Sequence, residues 1–192
     1  MTKPNIQIIL GSTRQGRSGG KVARWFGDVA ASRDDLNVEL VDLRDWPLPF
    51  FDEPIPPMRR LGEDERIQAW AGKIREADGF VLVTPEYNHG YPAVLKNALD
   101  HLYYEWNDKP VGFVGYGGQS GGIRAVQQLR QVVIELAMVP MRQQVILPKV
   151  YTAFDDAGNI TDEGLNRSAS AVLDELVPWA ELLQTRRAVL TS

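Results

Sequence analysis

Apolar positions fall into two kinds of run along this chain. Five short runs, Ile6–Leu10, Val38–Leu43, Gly79–Val83, Val111–Gly115 and Gln144–Leu147, are rich in Ile, Val, Leu and Phe. Their length and composition read as buried strands. Between them, apolar residues recur at intervals of three and four, which is the stripe of a helix lying on a core. The first stripe is Val22, Trp25, Phe26, Val29 and Ala30, within a helix over Val22–Ala30. The second, behind an acidic first turn at Glu63–Glu65, is Ile67, Trp70, Ala71 and Ile74. A third takes in Leu95, Ala98, Leu99, Leu102 and Trp106, and a fourth covers Ile123–Met138 with Ser120 as N-cap. The fifth begins near Thr161, its expected N-cap, and runs through Ala169, Val172, Leu173, Leu176, Ala180 and Leu183, with Pro178 expected to kink or divide it.

Five strands alternating with five helices predict a parallel α/β sheet and one domain over residues 1–192. The unusual residues fall after strands one, three and four: Gly11–Gly20 (GSTRQGRSGG), Thr84–Pro92 (TPEYNHGYP) and Tyr116–Gly122 (YGGQSGG). In an open parallel sheet these loops share the carboxyl edge, where ligands bind at the switch in strand order. With order 2-1-3-4-5, strands one, three and four are neighbours and the three loops line one crevice. A fourth irregular stretch, Asp45–Arg60, holds Pro47, Pro49, Pro54, Pro56 and Pro57, and is either a lid or a plain connector.

The first loop has the form of an anion site. A strand, a Gly-rich turn and a helix N-terminus leave backbone N–H groups without helical partners. Ser12, Thr13 and Ser18 add hydroxyls, and Arg14 and Arg17 add planar donors suited to phosphate. The bland alternative is a surface turn with two solvated arginines. The nucleotide-triphosphatase loop is not matched, since Arg17 stands where Lys precedes the hydroxyl residue and the third strand ends in Thr84–Pro85–Glu86 without a metal-binding Asp. The dinucleotide fingerprint G-x-G-x-x-G is absent as well. A terminal monophosphate fits better.

Pro85 and Pro92 stiffen the second loop, and Tyr87, Asn88 and its N–H groups suit a flat polar heterocycle. Glu86 reads either as a general base or as a carboxylate bonding N–H groups at a helix start, Tyr87 as a stacking ring or a cap on the core. His89 is an acid–base candidate or a contact residue. In the third loop, N–H groups among the glycines suit a ring that becomes anionic on reduction, or else form a ligand-free turn.

At 192 residues, 44% hydrophobic and 24% charged, with net charge −4, the chain reads as an ordinary globular domain with no surface for nucleic acid or anionic lipid. The absence of cysteine excludes disulfides and thiolate chemistry, and His89 and His101 alone make no zinc site. The N-terminal apolar run is too short for a signal peptide and no run can span a bilayer, so the expected compartment is the cytoplasm.

GSTRQGRSG, TPEYNHGYPAVLKNALDHL and YGGQSGG, in this order, resemble the NAD(P)H-dependent FMN reductases of the flavodoxin-like superfamily, which include quinone, azo-dye and chromate reductases. The likeness runs from strand one to at least helix four, and the PEYN…LKNALD block is its most specific part. It implies a flavodoxin-like fold and FMN held by Ser12, Arg14, Arg17 and Ser18 at the phosphate, with the Thr13 hydroxyl of the same loop a further candidate. It implies Pro85, Glu86, Tyr87 and Asn88 against the isoalloxazine, and Gly117, Gly118 and Ser120 at the ring's other edge. It implies NADPH or NADH as co-substrate, a small-molecule electron acceptor reached by a ping-pong cycle, and a homodimer or homotetramer. Helices three and four, with Val126, Tyr103, Tyr104 and Trp106, are then candidate interface, or else core. Members often carry Tyr-Ser where this chain has His89–Gly90. Arg59 and Arg60 are candidates to meet the 2′-phosphate of NADPH. Two competing expectations are a flavodoxin-type one-electron carrier and a flavin-free interaction domain on the same fold.

Overall fold

The structure, a computed structural model, describes residues 2–190. Its elements run β1 (Asn5–Leu10), α1 (Gly19–Ala31), β2 (Asn37–Asp42), α2 (Glu65–Arg75), β3 (Gly79–Pro85), α3 (Ala93–Asp100), β4 (Pro110–Tyr116), α4 (Ile123–Glu135), β5 (Val139–Leu147) and α5 (Glu163–Leu190). The five strands are parallel in the order β2-β1-β3-β4-β5. The order places β1, β3 and β4 side by side, and the three Gly- or Pro-marked loops leave the same edge. The fold is the flavodoxin-like α/β sandwich.

Strand alternation divides the core in two, because successive side chains point to opposite faces. Val81 and Val83 of β3 pack with Ile6, Ile8 and Leu10 of β1 against α1 and α5. Phe80 and Leu82 pack with Phe113 of β4 against α2, α3 and α4. All seven residues of β3 and of β4 are buried, which is why these strands carry almost no polar residue.

Several boundaries differ from the sequence expectation. Helix α3 stops at Asp100, yet Leu102 and Trp106 stay buried. The chain turns tightly there: Leu102 N–H and the Trp106 indole both donate to Leu99 O. Helix α4 stops at Glu135, two residues before Ala137 takes a left-handed φ of 54°. Its N-cap is Gly122, not Ser120. Asp162, not Thr161, caps α5, accepting from Gly164 N–H at 2.7 Å, while the Thr161 hydroxyl turns back to Ala153 O. Pro178 does not divide α5. One lost backbone bond is outweighed by the buried row Ala169, Val172, Leu173, Leu176 and Ala180.

The proline-rich stretch is a strap fastened to α3. Pro49 O accepts from Asn97 Nδ2 at 2.7 Å and meets His101 Nε2 at 2.8 Å, and Phe51 N–H donates to Asn97 Oδ1 at 2.9 Å. Val126, Leu129 and Val133 of α4, and Trp106, lie fully in the chain's own core and so are not outward-facing interface positions. Tyr104, Ile123 and Ile134 are the exposed apolar residues of this region.

Candidate functional site

The first loop rises from β1, where Gly11 N–H continues the sheet by donating to Val83 O at 2.9 Å. A Cβ at Gly11 would lie 2.8 Å from Leu95 Cδ2 and 3.1 Å from Val83 O, so the chain passes close against α3 and β3 here. Beyond it, two arginines hold the carbonyl side of the loop. Arg17 donates to Ser12 O and forms a bidentate pair with Asp42 at the end of β2. Arg44 donates to Thr13 O and Arg14 O. With the carbonyls tied this way, the N–H groups of Thr13, Gln15, Gly16, Arg17 and Ser18 have no protein acceptor among the described residues. A row of unpaired N–H groups ending at a helix N-terminus is a concave anion cradle.

The structure therefore separates residues that the sequence groups together. Arg14, exposed and without a side-chain partner among the described residues, is the arginine available to a ligand. Arg17, only 9% exposed, braces the loop instead. Burial pushes the Asp42 carboxyl up, and the Arg17 and Arg44 contacts outweigh it and hold the group below the usual carboxylate range. Thr13 is exposed and Ser18 is the α1 N-cap with its hydroxyl uncommitted to the helix. Ser12 is buried, and its Oγ shares a 2.8 Å hydrogen bond with the Tyr87 hydroxyl, tying the first loop to the second.

Beneath the loop lies a residue that the sequence does not flag, Tyr116 at the end of β4. Its hydroxyl is buried with no hydrogen-bond partner among the described residues. A Cβ on Gly19, in the first turn of α1, would collide with it. Burial, together with the nearby Tyr87, pushes this phenol's pKa up, against the Arg17 charge, the Ser12 hydroxyl and the Arg14 charge.

The second loop closes as a tight hairpin, Tyr87 and Gly90 exchanging N–H···O bonds of 2.8 and 3.0 Å. Asn88 and His89 at its tip both take positive φ, 50° and 71°. That is the geometry of a type I′ turn, which favours Asn first and usually glycine second. The Asn88 and His89 N–H groups are free of protein acceptors among the described residues. Gln128 of α4 donates to His89 O at 3.1 Å and holds the tip. The Glu86 carboxylate is turned to the start of α4, accepting from Arg124 N–H at 3.0 Å and pairing with the Arg124 guanidinium. Burial pushes Glu86 up, and Arg124 and the Ser120 hydroxyl overcome it and hold the group below its usual value. The Glu86 carboxylate is thus committed to the start of α4.

In the third loop, Gly121 and Gly122 take φ of 62° and 87°. Gly117 N–H is committed to Leu147 O, and the carbonyls of Gly117 and Gly118 accept from Val150 and Lys149. The N–H groups of Gly118, Gln119 and Ser120 meet no protein acceptor among the described residues. Pro85 ends β3 between the two loops, and Glu86 N–H reaches Tyr116 O at 3.1 Å.

Asp42, Arg44, Tyr116, Arg124 and Gln128 are the supporting residues that sequence reasoning missed. The signals were faint: Asp42–Leu43–Arg44 is a charged pair at the carboxyl end of a strand that neighbours β1, and Tyr116 is the one polar-tipped residue closing an apolar strand. Arg59 and Arg60 do not reach this crevice. They line a pocket with Arg75, Lys109 and Arg187, at the amino edge of the sheet.

Residues 4–152 match the family described as NADPH-dependent FMN reductase. An NAD(P)H-dependent FMN reductase of Schizosaccharomyces pombe is 45% identical over 150 residues, 76% of this chain and 74% of the relative. A quinone reductase of Pseudomonas putida is 30% identical over 189 residues, 93% of this chain and 95% of the relative. Among solved structures, the NAD(P)H:acceptor flavoenzyme of Paracoccus denitrificans superposes with a TM-score of 0.75 at 24% identity, over 93% of this chain and 97% of that one, a likeness of fold. All three special loops lie inside the matched span, and the free N–H groups and the orphan hydroxyl fit a bound phosphate. The chain belongs to the NADPH-dependent FMN reductase family, and so to the oxidoreductases that work with FMN and NAD(P)H.

Proposed function

We propose that the chain passes electrons from NADPH or NADH through FMN to a quinone, flavin, azo or similar small acceptor, by a ping-pong cycle. The observation that supports this most is the pairing of two N–H clusters on one sheet edge, at Thr13–Ser18 and at Gly118–Ser120. The first suits a phosphate dianion; the second suits a ring pole that gains negative charge on reduction. FMN, when bound, supplies the chemistry by taking a hydride from reduced nicotinamide and giving two electrons to the acceptor.

The protein's own share is binding and orientation. Arg14, Thr13, Ser18 and the loop N–H groups would hold the phosphate. Arg17, Asp42 and Arg44 keep that cradle open without touching the ligand. The hairpin tip would offer its Asn88 and His89 N–H groups to the flavin ring, and the Tyr87 hydroxyl ties the tip to the first loop through Ser12. Glu86 and Arg124 hold the third loop's helix in place, so Gly118, Gln119 and Ser120 donate without rearranging. Under a ping-pong cycle, nicotinamide and acceptor would occupy the same site in turn. Steady-state rates with NADPH and benzoquinone should give parallel double-reciprocal lines, and intersecting lines would show both substrates bound at once.

With this reading goes a homo-oligomer working in the cytoplasm. Ile123 and Ile134 of α4 are exposed apolar residues available to an interface, and sedimentation equilibrium checks it: a lone monomer at micromolar concentration rules the oligomer out. Among the described residues, no helix is long and apolar enough to cross a membrane.

A further inference from the structure

The amino edge of the sheet, across from the crevice, holds an unusual concentration of positive charge. A pocket of about 620 Å³ is walled by Arg59 and Arg60 of the strap, Arg75 at the end of α2, Lys109 before β4 and Arg187 near the end of α5, with one carboxylate, Glu105, on the same wall. This is a chain of net charge −4. Lys109 is only 5% exposed. Its ammonium donates to Ile74 O at 2.7 Å and lies 5.4 Å from the centre of the Phe80 ring, which accounts for one of its three N–H donors.

Two of the five cations have an ordinary explanation. Arg75 and Arg187 sit in the last turns of their helices, where cations complement the dipole, and they pair with Glu105 and Asp78. That explanation does not extend to the others. Arg59, Arg60 and Lys109 lie on no helix. Arg59 has no acidic partner among the described residues, and Arg60 reaches only the highly exposed Glu63, at 3.3 Å. A lysine is costly to bury unless something anionic meets it. Tyr104, 65% exposed, adds a ring face to the same wall.

We propose that this pocket is a second anion site, in which Arg59, Arg60, Arg75, Lys109 and Arg187 take a polyphosphate group, either free or on a nucleotide. Five cations converging from four segments suit several phosphate charges better than one. The site is independent of the FMN crevice and of the electron-transfer reading.

The site carries a proton signature. Burial lowers the Lys109 pKa to about 7, with Arg187 and Arg75 pushing the same way and Asp78 and Glu105 opposing. A phosphate anion beside the ammonium favours its charged form, so binding above neutral pH takes up a proton.

The test is calorimetric titration of the FMN-loaded protein, its phosphate loop filled, with pyrophosphate, ATP and inorganic phosphate. Pyrophosphate should bind at least about tenfold more tightly than inorganic phosphate. The double variant Arg59→Ser, Arg60→Ser should weaken it about tenfold to a hundredfold, as expected when charged hydrogen bonds are lost. Arg14→Ala should leave it unchanged. Repeating the titration at pH about 8 in two buffers of different ionisation enthalpy should show proton uptake, lost in Lys109→Met. Tighter binding of ATP than of pyrophosphate assigns the base to Tyr104; equal binding assigns the site to the phosphates alone. No binding at millimolar concentration, or equal affinity in the strap double variant, overturns the proposal, and because those two arginines are on the surface the variant tests it even if Lys109→Met does not fold.

Discussion

At the scale of single residues, the two arginines of the first loop do opposite things, although sequence treats them alike. Arg14 faces out and Arg17 is folded under onto Asp42 and Ser12 O. Arg14→Ala should weaken FMN binding about tenfold to a hundredfold and leave riboflavin, which lacks the phosphate, nearly unaffected. Its cost in urea unfolding should stay within about 0.5 kcal/mol. Arg17→Ala should cost about 2 kcal/mol of stability, because it strands Asp42 and releases the Ser12 carbonyl. Both ligands should then bind more weakly, since the whole cradle is reshaped. A phosphate-selective loss on Arg17→Ala, with stability intact, would show that this brace is the true phosphate ligand. The division was illegible in sequence because it depends on where β2 ends: Asp42 comes beside the loop only through the register that sets Leu10 opposite Asp42.

Among the elements, the parts legible in sequence were those that periodicity and turn chemistry specify. The α2 stripe Ile67, Trp70, Ala71 and Ile74 is buried as its spacing demands, and the central strands are buried on both faces. The misplaced ends were those settled by tertiary partners. Trp106 and Leu102 look like a continuing helix, yet tight turns bury them equally well; Ser120 looks like a cap, yet its hydroxyl is drawn to Glu86. In its place, backbone conformation starts α4. Gly122 is left-handed at φ 87°, and a Cβ on it would lie 2.7 Å from the Gly115 backbone. Gly122→Ala should therefore cost at least about 2 kcal/mol, adding the left-handed penalty to a backbone clash. It should also displace the Gly118–Ser120 donors, seen as weaker binding of riboflavin and FMN alike. A stable variant with normal affinity would mean that the third loop is not held by this turn.

Taken whole, the molecule gathers its three special loops on one edge of the sheet and buries a lysine at the other. The lysine has a signature in stability. Its folded-state pKa, about 7, lies well below the ordinary 10.5, because burial disfavours the ammonium. The native state then binds fewer protons than the unfolded chain between those values, so this group's contribution grows as pH rises through about 7 and is lost as pH falls back through it. The stability difference between wild type and Lys109→Met should accordingly move in favour of wild type from pH about 6 to about 9, read from urea midpoints. A flat difference would mean the ammonium titrates normally. Strand order and the meeting of the three loops were legible because loops after neighbouring strands must meet, and the cofactor class through the likeness of those loop motifs to a known family; the choice of electron acceptor was not, because no residue of the hairpin tip specifies one. The central claim is that the three carboxyl-edge loops make a reductase and not a one-electron carrier. The most direct measurement is anaerobic stopped-flow absorbance of the FMN-loaded protein mixed with NADPH or NADH, followed by benzoquinone. The yellow band should be lost within seconds with no radical absorbance, and should return in full when the quinone is added. If neither nicotinamide bleaches the bound flavin, and stepwise chemical reduction halts at a stable one-electron level, the carrier reading replaces it.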